Sequence, residues 1–251
     1  MPIDATFFHP LITRGLVAGL VPGSEQWCPG IPGGVRHTEV FACADEASGA
    51  GTALALALDQ AKPEHAERPW LWVQDRAARR LGGRPYRAGL PAALRHRLIH
   101  VAANKPEDAL FALEEGLRCR DLAFVVGEIA GNPRALGLTA SRRLSLAAER
   151  HGTPLWLIRL DATRDLGSAR MRWEVRSAPS LRPRWNAAAP GTPSWSAELF
   201  RAHIHQPGHW ILRDDAPLAA EPAAQPAATP HSGDLARPAR DRSLAPERTW
   251  A

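Results

Sequence analysis

An alternation of segment types, running from Val35 to about Val175, most constrains the fold. Short apolar runs at Val35–Phe41, Trp70–Gln74, Leu98–Val101, Leu122–Val126 and Pro154–Leu160 read as strands, most of the kind buried on both sheet faces. Between them, Ala53–Gln60, Pro106–Arg118 and Ala140–His151 read as helices. Strand and helix in turn imply right-handed crossovers, so the expected class is α/β with a mainly parallel sheet and helices on both faces. The clearest helix is Pro106–Arg118. Pro106 suits its first position, Glu107 and Asp108 favour the positive end and Arg118 the other, while Ala109, Leu110, Leu113 and Leu117 form an apolar stripe.

After Leu166 the pattern changes. Met171, Trp173 and Val175 alternate with Arg170, Arg172, Glu174 and Arg176, which reads as a half-exposed strand with one basic face. Trp185, Trp195 and Trp210 follow in a Pro-rich stretch and are expected to fold back on the core. From Asp214 onward Ala, Pro and charge leave little to bury, the composition of a disordered tail. The expected organisation is an N-terminal segment over 1–29, a core over 30–212 and a disordered tail over 213–251.

A formal charge of +5 permits an anionic partner without demanding one. Nearly all the positive charge is arginine, since Lys62 and Lys105 are the only lysines; an Arg-rich DNA contact and a compositional bias both account for it. Cys28, Cys43 and Cys119 are too scattered for a zinc site or a disulfide framework, which fits a reducing cytoplasm. With no N-terminal run of 18 apolar residues, no membrane association is expected.

The stretch Glu39–Leu58, EVFACADEASGAGTALALAL, has the order strand, small-residue loop, apolar helix, as in a phosphate-cradling loop. Its loop is read as Ser48, Gly49, Ala50, Gly51 and Thr52, with Ala50 and Gly51 where a lysine and a Ser/Thr would reach phosphate and Mg²⁺. The reading is a degenerate nucleotide loop, or a glycine-rich turn kept for close strand–helix packing. Glu128 follows the run LAFVV where a Walker B acid would stand; without the lysine it reads as a surface or loop carboxylate, with Gly127 and Gly131 serving a turn. His203, His205 and His209 are close in sequence but lack further ligands nearby, so no metal is expected. The segment SAELF, 196–200, ends like a sliding-clamp anchor but lacks the leading glutamine, and core packing is the plainer reading. Arg142 and Arg143, with Arg170 and Arg172, are read as a basic surface facing a partner or DNA, against the alternative of a merely solvated face.

Several segments in order resemble RecA. They are GIPGGVRHTEVFA at 30–42, the run from Leu98 to Ile129 that leads to a Walker B strand, and GSARMRWEVRSAPS at 167–180. The closer resemblance is to the ImuA family, which is RecA-like and related to SulA, in its alphaproteobacterial branch. It is carried by LWVQDR at 71–76, EEGLRCRDLAFVVGEI at 114–129 and TASRRLSLAAERHGTPLWLIRL at 139–160, and it spans roughly 30–212. The resemblance implies a RecA-like P-loop NTPase core with a degenerate P-loop. It also implies a cytoplasmic accessory role, without enzymatic activity or cofactor, in SOS-induced translesion synthesis and mutagenesis. The implied partners are ImuB, RecA and, indirectly, an error-prone DNA polymerase, with DNA as a further candidate. An ATP-dependent recombinase-like enzyme and a SulA-like division inhibitor acting on FtsZ are the alternative classes.

Overall fold

The computed structural model describes residues 25–28, 35–183, 186, 188–214 and 218–223. In chain order the elements are β1 (Glu25–Gln26), β2 (His37–Ala42), α1 (Ser48–Asp59), β3 (Trp70–Gln74), α2 (Arg76–Gly82), α3 (Ala92–Arg95), β4 (Leu98–Ala102), α4 (Pro106–Arg118) and β5 (Val125–Ala130). There follow α5 (Leu138–His151), β6 (Leu155–Leu160), β7 (Met171–Ser177), β8 (Ser194–Ala202), β9 (His205–Gln206), β10 (Gly208–Arg213) and β11 (Ala219–Pro222).

Among the described residues nine strands form one sheet in the order β11-β10-β8-β7-β2-β6-β5-β3-β4. From β4 to β7 every neighbouring pair is parallel, and β8, β10 and β11 extend the sheet antiparallel. The α/β class with a mostly parallel central sheet is therefore as expected. β2, β3 and β6 are buried along their whole length, as two-sided coverage requires. On one face Ala53, Leu54 and Leu56 of α1, with Ala78 of α2 and Leu94 of α3, pack on Trp70, Trp72, Trp156 and Ile158. On the other, Ala109, Leu113 and Leu117 of α4 join Leu144 and Ala148 of α5 over Val73, Val125 and Leu157.

Beyond the parallel strands, Trp27 fits edge to face against Trp173 and Trp210, with ring centroids 4.9 and 5.7 Å away. Trp27 is 2% exposed, so the region assigned to an N-terminal segment contributes to the core. Trp195 and Trp210 are buried as expected, while Trp185 lies outside the described residues. The tail boundary differs from expectation: Arg213 ends β10, and Ala219–Pro222 pairs with it as β11. Short apolar and alanine-rich sequences suffice there because the strand borrows an existing edge. The remainder of the expected tail, from 224 on, lies outside the described residues.

Candidate functional site

The junction between β2 and α1 is where a phosphate loop would stand. Five residues, Cys43–Ala47, connect the two elements. Ser48 to Thr52 are not a loop, contrary to the sequence reading, but the first turns of α1. Small residues are consistent with either state; close packing decides. A Cβ on Gly49 would lie 2.8 Å from Ala42 Cβ, and one on Gly51 would lie 2.7 Å from the Trp195 ring, so these glycines let the helix approach the sheet. Ser48 and Thr52 are buried. The connection itself is acidic. Glu46 accepts from Ser48 Oγ and from the Ser177 backbone N–H, each at 2.9 Å, tying the junction to the end of β7. Asp161 Oδ1 accepts the Ala44 backbone N–H at 2.9 Å. Two carboxylates thus hold the Ala44 and Ser177 N–H groups and the Ser48 hydroxyl, the N-terminus of α1 carries no side-chain cap, and Asp45 adds a third negative group beside it.

Glu128 also departs from expectation. It is not a surface or loop carboxylate but a β5 residue 5% exposed, because Gly127 and Glu128 are strand residues paired with Val73 and Gln74 of β3. Gly127 serves no turn; it admits the Leu113 and Leu157 side chains, while Gly131, at φ 62°, does turn the chain. Trp72 Nε1 and Gln74 Nε2 both donate to Glu128 Oε2, at 3.1 and 2.8 Å. Gln74 Oε1 accepts from His100 Nε2 at 2.9 Å, so one polar row crosses β5, β3 and β4. Burial pushes the Glu128 carboxyl up, against the two hydrogen bonds, and the nearby Asp75 charge adds to the rise. Asp75, also raised by burial, caps α2 by accepting the Ala78 N–H at 2.6 Å. The crevice at the carboxyl ends of β3 and β5, from which the chain leaves to opposite faces, is the usual ligand position in such sheets. Here α2 roofs it: a Cβ on Gly82 would lie 3.1 Å from Glu128 Oε1.

The basic surface read from the sequence does not form as one patch. Arg142 is exposed on α5. Arg143 pairs with Glu114 of α4, and Arg170 pairs with Glu149 at 2.8 Å. Arg172 is not on the surface: it is 3% exposed, and its Nε donates to Glu39 Oε2 at 2.6 Å. Of the supposed basic face of β7, Arg176 is exposed, while Arg172 lies against β2, where Glu39, Arg159, Arg172 and Asp165 form an ionic group. Its outer part is shielded by Arg164, which bridges Glu174 and Glu198 and lies 4.1 Å above the Phe200 ring. His37 continues this interior towards α5 through Ser145 and Ser168; burial first, then Arg172 and Arg159, lowers its pKa to about 3.

Among the remaining candidates, Leu199 of SAELF is fully buried on β8 and Phe200 faces the opposite side of the sheet, so the pair is strand and core. His205 is buried in β9 while His203 and His209 are exposed, and among the described residues no three His, Cys, Asp or Glu side chains gather as a metal site. No described helix is long and apolar enough to cross a membrane. A groove of about 400 Å³ opens between α4 and α5, lined by Leu110, Phe111, Glu114 and Arg143. Sequence reasoning missed the stretch from Arg76 to Arg97, of which Arg79, Arg84 and Arg87 lie near the His100 end of the Glu128 row. Its signal was available: no carboxylate occurs between Asp75 and Glu107. Compared with known proteins, the chain matches no protein-family model and no curated protein.

Proposed function

We propose that this chain is a non-catalytic RecA-fold accessory protein of the ImuA type. In this reading it acts with ImuB and an error-prone polymerase in SOS-induced translesion synthesis, and contacts RecA. The observation that carries the reading is the β2–α1 corner. A nucleotide site needs cationic groups aimed at phosphate beside its backbone donors. This corner offers Ala50 and Gly51 in a closely packed helix, with Asp45 and Glu46 ahead of it. The carboxylate of Glu128, which could have managed Mg²⁺ or water, is held beneath α2 by Trp72 and Gln74. The parallel sheet with helices on both faces fits a RecA-like kind of fold, and the ImuA-like segments at 71–76, 114–129 and 139–160 supply the functional part of the argument.

Two measurements test this. Calorimetric titration with Mg-ATP is expected to give no heat of binding in the micromolar range, and affinity in that range would overturn the non-catalytic reading. Co-purification of the tagged full chain from DNA-damaged cells is expected to recover ImuB and RecA. Recovery of FtsZ without either would replace the adaptor with a division inhibitor. Arg142→Glu combined with Arg170→Glu is expected to leave the protein folded and to lower damage-induced mutagenesis. Wild-type mutagenesis in that variant would remove α5 from the partner surface.

A further inference from the structure

The positive charge of this chain is concentrated in one segment. From Arg76 to Pro106 there are seven arginines and Lys105 with no carboxylate, +8 in all; against +5 for the whole chain, the remaining residues carry a net −3. Elsewhere several arginines meet carboxylates, as Arg143, Arg164, Arg170 and Arg172 do. By contrast Arg76, Arg80, Arg84 and Arg87 are exposed, and neither they nor half-buried Arg79 form an ion pair among the described residues. Such unneutralised charge costs folding energy through self-repulsion and draws anions to this face.

The fold gathers these groups. Positions 76, 79 and 80 share one face of α2. Gly83, at φ 77°, then turns the chain, and Gln74 Nε2 holds that turn to the sheet by donating to Gly83 O at 2.8 Å. Arg84 and Arg87 follow, the latter donating to Leu98 O of β4 at 3.2 Å. Arg84, Arg79 and Arg87 all act on His100, lowering its pKa after the larger effect of burial, so three of the charges converge around one point. Amid them Tyr86 is 77% exposed.

We propose that the surface formed by α2 and the Arg84–Arg87 turn binds single-stranded nucleic acid, with the arginines on phosphates and Tyr86 stacked on a base. Unpaired arginines track a backbone and release its counterions. An exposed aromatic ring beside them gives an unstacked base a platform, which the already stacked bases of a duplex do not take up. This surface is separate from Arg142 and Arg170, and it requires none of the protein partners proposed above. Failure of either proposal therefore leaves the other standing.

The test is fluorescence anisotropy of labelled oligo(dT) against the full chain across a salt series. Log affinity is expected to fall linearly with log salt. Arg76→Glu with Arg80→Glu and Arg84→Glu is expected to weaken binding more than about tenfold and to flatten the salt slope. Tyr86→Ala is expected to weaken oligo(dT) by about fivefold to a hundredfold while Tyr86→Phe retains it, and duplex binding is expected to be insensitive to Tyr86. Arg142→Glu with Arg170→Glu is expected to change nothing here. The milder triple variant to glutamine, checked by circular dichroism, guards against a folding artefact and should weaken binding in the same direction. Absence of oligo(dT) binding at low salt, or retention of full affinity by either folded triple variant, overturns the proposal. So does binding of polyglutamate through the same arginines without oligo(dT) binding, which would assign the surface to an acidic protein.

Discussion

Glu39 stands in the middle of the sheet with Arg172 at 2.6 Å and Arg159 at 3.9 Å, all three nearly inaccessible. Removing one member of a buried ionic group strands the others in a medium that solvates them poorly. Glu39→Gln is therefore expected to destabilise the fold by about 3–5 kcal/mol in a urea melt, far more than an exposed arginine change. His37 makes the acid limb steep. Its folded pKa of about 3 lies below the ordinary value of 6.5, so its contribution is fully present above pH 6.5. As pH falls from there towards 3 the unfolded chain takes a proton that the folded chain refuses, and stability is lost by up to about 1.4 kcal/mol per pH unit. His37→Asn, which keeps a partner for Ser145, should flatten the melting temperature against pH over that window. Glu128 has the opposite sign: its raised pKa contributes stability in acid that is lost as pH rises through it. Glu128→Gln, which can still accept from Trp72 and Gln74, should raise the melting temperature at pH 8 and give no gain at pH 4.

Helix α1 shows why motif repair is not enough. Installing Ala50→Lys with Gly51→Thr restores the letters of a phosphate loop, but a side chain at 51 meets the Trp195 ring. The expected outcome is a loss of about 1–3 kcal/mol from overpacking, without ATP turnover in a phosphate-release assay. The same helix marks the limit of what sequence patterns disclose. Helix α4 was legible to the residue because its leading proline, dipole charges and apolar stripe are local. The start of α1 was not, since Ala favours a helix that Gly and Ser disfavour, and a deciding contact comes from β8. Likewise Arg172 looked outward because strand alternation cannot name a partner 133 residues earlier. Glu128 looked like a loop acid because the strand was placed at Leu122–Val126, whereas β5 runs from Val125 to Ala130.

At the scale of the whole molecule, β11 makes the C-terminal boundary measurable. Leu218 is buried, and Arg213 pairs with Glu221 at 2.7 Å across the β10–β11 pair. A chain ending at Asp214 should melt a few degrees below one ending at Ala223, at roughly 2–4 °C per kcal/mol for a protein of this size. The position of β2 has a consequence in time. It is the central strand, yet His37 pairs with Leu155 and Thr38 with Met171. At a synthesis rate of about 5–20 residues per second, β2 emerges on the order of 6 to 24 s before its first sheet neighbour exists. During that interval a strand bound for the sheet centre, with its buried polar groups His37 and Glu39, stands with both edges unsatisfied, and no local hairpin can shelter it. Nascent chains of this protein should thus depend on a holding chaperone until β6 is made, and refolding from denaturant should be slow and lose yield with rising concentration.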